Sequence, residues 1–344
     1  LGAMKDLHGC AEVRSLACRL SQCAASVARS MNPQMISNCA WGAARVSVPA
    51  GHFHDVVAGV AARQLTQKAT GLIDQHVCNV AWAFTQSDAQ SKPVLEHMLA
   101  VCEEAHRSGR LAGMNSHHTA LFAWSIAKLF TWDQDAVHKD RRTIPQPVRS
   151  VIATAAALAL KGYLDWQPRE LASVMWSVAR VSLKDEPAVL FPAVVNHLSA
   201  HHAKNLELQC FTMVAWAIAA TELVKDSFRH GSIEALLGAI LQDLRAAEPE
   251  SVQPSFVAIA AWACARIDLR GAAGELTRAA AGICNAAQAR RPWGLGDRMN
   301  LAFAVVMQGC YTPETVRCVR DAYALARSSY AGGVVEGAGV RHAQ

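Results

Sequence analysis

One phrase returns along the chain: a short, alanine-rich helical stretch with a large aromatic at its middle. PQMISNCAWGAARV carries Trp41, DQHVCNVAWAFTQS Trp82, SHHTALFAWSIAKL Trp124, PRELASVMWSVARV Trp176, LQCFTMVAWAIAAT Trp216 and PSFVAIAAWACARI Trp262. LGDRMNLAFAVVMQ sets Phe303 in the same slot. Successive slots lie 41, 42, 52, 40, 46 and 41 residues apart. Self-similarity at such a period marks a chain built from stacked supersecondary units rather than around one central core.

Each interval has room for a second helix. DVVAGVAARQLTQK, PVLEHMLAVCEEAHRS, VRSVIATAAALALKG, AVLFPAVVNHLSAHH, SIEALLGAILQDLRAA, GELTRAAAGICNAAQA and PETVRCVRDAYALAR all space their apolar residues at the helical period. Start signals precede several of the aromatic helices. Pro33, Pro168 and Pro254 stand in or beside a first turn, and Asn115 or Ser116 offers an N-cap. The fold expected is therefore all-α. It is an α-solenoid of about seven helix–turn–helix units of about 40 residues each, spanning 31–328. Residues 1–30 are expected to form an N-terminal cap helix and 329–344 a flexible glycine-rich tail. The segment TWDQDAVHKDRRTIPQP, 131–147, is the longest excess length and is expected to be a loop.

Composition agrees. The chain is 52% hydrophobic, much of it alanine, and 18% charged, a balance that favours helix. A net charge of +5 permits an anionic partner without requiring one. Eleven cysteines, an odd number without a CxxC, fall mostly inside apolar helical stretches. They read as free thiols of a reducing compartment, with no disulfide framework and no structural zinc. No apolar run reaches the roughly 20 residues that cross a bilayer, so no membrane insertion is expected. The start at Leu1 would suit an organellar protein that has lost a transit peptide.

Signatures of chemistry are missing. The chain has no GxxxxGK[ST], HExxH or GxSxG, and no GxGxxG after a strand. Adjacent histidines at 117–118 and 201–202 point about 100° apart on a helix and make poor chelates. Neither an enzyme, a cofactor nor a metal is expected.

The aromatic helices resemble the first helix of the octotricopeptide-repeat family, whose phrase reads P-Q-E-L-A-N-x-L-W-A-L-A-K-L. PRELASVMWSVARV is the nearest match and PQMISNCAWGAARV follows, and the resemblance runs over about 32–328. It implies an RNA-bound organellar protein, of the mitochondrion before the chloroplast. Related helical arrays serve as subunits of mitochondrial ribosomes. The family's C-terminal RAP domain has no counterpart here, and the repeats run slightly longer than the family's unit. FAST-kinase-like proteins and HEAT or armadillo arrays are the rival labels.

Helix geometry nominates a face. With the aromatic as position 0, positions −4, −1 and +3 are small or apolar, as in Ser37, Ala40 and Ala44 or Ala172, Met175 and Ala179. Together with the tryptophans these are expected to form the packed side. Positions −7, −3 and +4 share another stripe. There stand Gln34, Asn38 and Arg45; Gln75, Asn79 and Gln86; His117 and Lys128; Arg169, Ser173 and Arg180; Arg266; and Asn300. Amides and hydroxyls can hydrogen-bond unstacked bases, and cations at +4 can neutralise phosphates, so these residues are the candidate RNA contacts. The stripe lapses after the fourth phrase into Met213, Ala220, Ile259 and Met307. The basic segment HKDRR, 138–142, is a further phosphate candidate. Two functional classes stay open. One is a non-catalytic RNA-binding subunit of a ribonucleoprotein, contacting single-stranded or ribosomal RNA and protein subunits. The other is a protein-only scaffold or assembly factor.

Overall fold

The computed structural model describes residues 11–49, 51–67, 73–86, 91–131, 144–221, 228, 231–249, 251–269, 271–287 and 293–331. Regular structure among them is helical throughout, with no strand. The chain divides into two compact units, Leu1–Glu186 and Pro187–Gln344.

The first unit holds α1 (Ala11–Val27), α2 (Pro33–Arg45), α3 (His52–Thr66), α4 (Asp74–Gln86), α5 (Lys92–Arg107), α6 (Ser116–Thr131), α7 (Gln146–Gly162) and α8 (Pro168–Arg180). Even helices pack on even ones, α2 on α4, α4 on α6 and α6 on α8. Odd helices pack likewise, α1 on α3, α3 on α5 and α5 on α7, so the unit is two helical layers. The second unit begins at the start of α9 (Glu186–His201). It continues through α10 (Leu208–Thr221), α11 (Ser232–Ala246), α12 (Pro254–Arg266), α13 (Ala272–Ala287), α14 (Leu295–Gln308) and α15 (Pro313–Ala331). It repeats the arrangement, α10, α12 and α14 in one layer and α11, α13 and α15 in the other. Every aromatic phrase lies on an even helix.

Side-chain caps close several helix starts, one of them at a candidate named from the sequence. Asn32 caps α2, its Oδ1 accepting the Met35 N–H at 2.9 Å. Of the two candidates ahead of α6, Asn115 is the cap, accepting from His118 N at 2.8 Å. Glu170 reaches back to accept the Gln167 N–H at 2.9 Å, the acidic half of a capping box on α8.

Helix ends share a device that the sequence did not announce. Ser47, Ser182, Asp268 and Gly309 all stand six residues after the slot, and all take left-handed backbone, φ 54°, 53°, 58° and 62°. The next N–H then turns back to a carbonyl five residues earlier: Val48 to Ala43, Leu183 to Val178, Leu269 to Cys264 and Cys310 to Val305. This is the Schellman closure, and the residue that makes the bond is buried each time.

Position +2 feeds the space between layers, with Phe84, Ile126, Val178, Ile218 and Cys264 all at 0–1% exposure. Burying such a side chain is worth about 1.5–3 kcal/mol for the larger ones. Where a unit holds a next even helix, positions −4, −1 and +3 face it and are nearly water-free, as expected, from Ser37, Ala40 and Ala44 on α2 to Ala258, Ala261 and Ala265 on α12. Their smallness lets neighbouring helices approach closely. The −4 side chain ties the joint: the Cys78 thiol donates to the His118 carbonyl at 3.3 Å and Thr212 to the Phe256 carbonyl at 3.0 Å. On α14 the same face carries Met299 and Val306, 48% and 54% exposed.

Expectations at the margins fare unevenly. α15 continues to Ala331, beyond the residue where the tail was expected to begin. The segment HKDRR and the last residues of the tail lie outside the described residues. Among the described residues no helix is long and apolar enough to cross a membrane.

Candidate nucleic-acid interface

The slot aromatics correct the sequence reading. None is buried: Trp41 is 38% exposed, Phe303 39%, and Trp82, Trp124, Trp176, Trp216 and Trp262 are half-buried. The alanines at −1 and +3 occupy the close joint between helices, and an indole is too bulky for it. The ring is turned onto the outer edge of the even layer. It thus shares its face with the polar stripe.

There the rings keep close company. Trp124 and Trp176 lie 6.1 Å apart at 39°, and Trp262 and Phe303 6.5 Å apart at 44°. Every cation at +4 sits over the tryptophan of its own helix. Arg45 is 5.5 Å from the ring centroid, Lys128 5.1 Å, Arg180 5.8 Å and Arg266 5.6 Å. Two of them also close the preceding even helix. Arg180 Nε donates to Thr131 Oγ1 at 2.9 Å and its other nitrogen to the Thr131 carbonyl at 3.2 Å, while Arg266 Nε donates to the Ala219 carbonyl at 3.1 Å. Positive charge at a helix C-terminus is favourable. The +4 cations are thus structural as well as charged. Lys128 is 7% exposed with its ammonium enclosed, so the phosphate contact expected of it is not available in this arrangement.

Other stripe residues face water or one another. Gln34, Asn38, Gln75, His117, Arg169 and Arg266 are exposed, whereas Arg45, Asn79, Gln86, Ser173, Arg180 and Asn300 are half-buried. Gln34 Nε2 donates to Asn38 Oδ1 at 2.8 Å, and Gln34 Oε1 lies 2.9 Å from His76 Nε2 on the next even helix. Asn79 donates to Ser37 Oγ at 3.3 Å, Gln86 to Thr85 Oγ1 at 3.1 Å, and Ser173 to its own helix at the Arg169 carbonyl. His117 Nδ1 lies 4.0 Å from Glu170. Burial, and then the Arg110 guanidinium, lower the His76 pKa. Burial and the neighbouring His117 do the same for His118. Both imidazoles are thereby held toward their neutral, hydrogen-bonding forms.

In the second unit the face turns apolar. Met213 and Ile259 are half-buried, Ser255 is buried and Met307 is 57% exposed. Among the described residues no group of three or more His, Cys, Asp or Glu side chains is placed to hold a metal ion. The sequence did hold a signal for the exposed indoles. A lysine or arginine four residues after a tryptophan, in four phrases of six, is a surface pair on a helix and not a core pattern. No protein-family model matches the chain, and no curated protein matches it.

Proposed function

We propose that this chain is a non-catalytic RNA-binding helical-repeat protein, a solenoid of about seven octotricopeptide-like units acting within an organellar ribonucleoprotein, the mitochondrial ribosome foremost. The observation that carries this reading is the even-layer face of the first unit. There exposed Gln34, Asn38, Gln75, His117 and Arg169 stand beside half-exposed tryptophans on successive helices. Amides present donors and acceptors to base edges, and guanidinium groups meet phosphates. The test is binding of single-stranded RNA across a salt series, wild type against Arg45→Gln/Arg169→Gln. Those two cations are chosen because Lys128 is enclosed and Arg180 closes a helix end. Each phosphate that the variant no longer neutralises lowers the salt slope by about one. A steep wild-type slope that flattens in the variant supports the reading, and no binding at low salt removes it.

A protein-only scaffold is favoured by a different observation. Met299, Phe303, Val306 and Met307 form an exposed apolar ridge on α14, where α10 and α12 of the same unit are each covered by the next even helix. Contiguous apolar surface of this kind marks protein interfaces. If the chain ignores RNA and Met299→Ser/Val306→Ser abolishes its co-purification with a specific organellar complex, this second reading replaces the first.

A further inference from the structure

We propose that Trp41, Trp82, Trp124 and Trp176 form a stacking row for the bases of single-stranded RNA; this rests on the RNA-binding reading above and names how bases, as distinct from phosphates, would be held. Three observations carry it. First, the rings stay partly in water although the residue just before each, Ala40, Ala81, Ala123 and Met175, is at 0–2% exposure. A large aromatic at the outer edge of each even helix leaves π-surface where a ligand can reach it.

Second, the four rings stand at the same register of successive even helices, and the last two, Trp124 and Trp176, lie 6.1 Å apart. Third, amides and cations flank that row. Gln34 and Asn38 stand two turns and one turn before Trp41, and Arg45 lies over its ring at 5.5 Å. Indole for a base face, amide for a base edge and cation for the backbone are the three elements of a single-strand platform.

The decisive comparison uses two oligomers of equal length and charge, an oligouridylate and an abasic phosphodiester without bases. Stacking is worth about 1–3 kcal/mol per base, about fivefold to more than a hundredfold in affinity. Wild type should bind the RNA at least about tenfold tighter than the abasic chain, with quenching of tryptophan fluorescence by the RNA alone. Trp41→Leu, at the most exposed ring, should cost about fivefold or more on the RNA, nothing on the abasic chain, and leave the salt slope unchanged. Trp41→Phe should recover part of the loss. Equal, salt-sensitive affinity for both oligomers overturns the stacking row while leaving RNA binding through phosphates intact. Failure of both to bind at low salt overturns both. Should Trp41→Leu unfold, quenching of wild-type tryptophan fluorescence by the RNA and not by the abasic chain still decides, and its absence overturns the stacking row.

Discussion

Acid should destabilise the first unit through one histidine. His54 of α3 is 2% exposed, set edge-on against Phe53 at 5.2 Å and Phe84 at 6.0 Å. Among the described residues neither ring nitrogen has a hydrogen-bond partner. Burial drives its pKa down from 6.5 to about 4, against a smaller upward pull from Asp55. The unfolded chain therefore takes up a proton near pH 6.5, and the folded chain resists until about pH 4. Stability is whole above the unfolded value and drains away as pH falls between the two. A gap of this size corresponds to about 3 kcal/mol, most of it spent by pH 4.5. Urea unfolding of wild type and His54→Leu at pH 7 and pH 4.5 measures it. The leucine is close in volume and removes two buried unpartnered nitrogens, so the variant should be no less stable at pH 7. It should also lose about 2–3 kcal/mol less than wild type on acidification. An identical pH dependence in both proteins would refute the argument.

Other outcomes follow from the same structure. Glycine at Ser47, Ser182 or Asp268 should stabilise by about 0.5–1 kcal/mol each in thermal or urea unfolding, because left-handed backbone strains any side chain, whereas Ser47→Val should destabilise. Arg180→Ala should cost about 1.5–3 kcal/mol by removing charge-assisted bonds to the end of α6, and Arg180→Lys, a point charge without the planar fork, should recover only part. Among the described cysteines a thiol reagent should label exposed Cys23 first and half-buried Cys18 and Cys39 next. Cys78, Cys102 and Cys264 should react only on unfolding, since burial raises their pKa, for Cys264 to about 12.

The helices were legible because their signals are local. Prolines marked where α2, α8 and α12 begin, and apolar spacing located the odd helices, so that PETVRCVRDAYALAR starts α15 at Pro313. The small residues at −4, −1 and +3 announced the joint between even helices. What misled was the ring itself. Tryptophan usually packs inward, but in this slot the alanines already fill the joint and leave the indole only its rim. Lys128 erred the other way, since helical phase placed it on the stripe while the longer α6, reaching Thr131, carries that turn into the packed layer. The left-handed ends were hidden because serine and aspartate do not advertise that backbone as glycine does. The chain's division into two compact units left no composition shift to read.

The most direct measurement is ultraviolet cross-linking of the full chain to single-stranded RNA, with the modified peptides mapped by mass spectrometry. Cross-links are expected on α2, α4, α6 and α8, centred on Gln34, Asn38, Trp41 and Gln75 and competed away by unlabelled RNA. Cross-links confined to the odd helices, or none at a salt concentration where binding is measured, would contradict the RNA-binding reading.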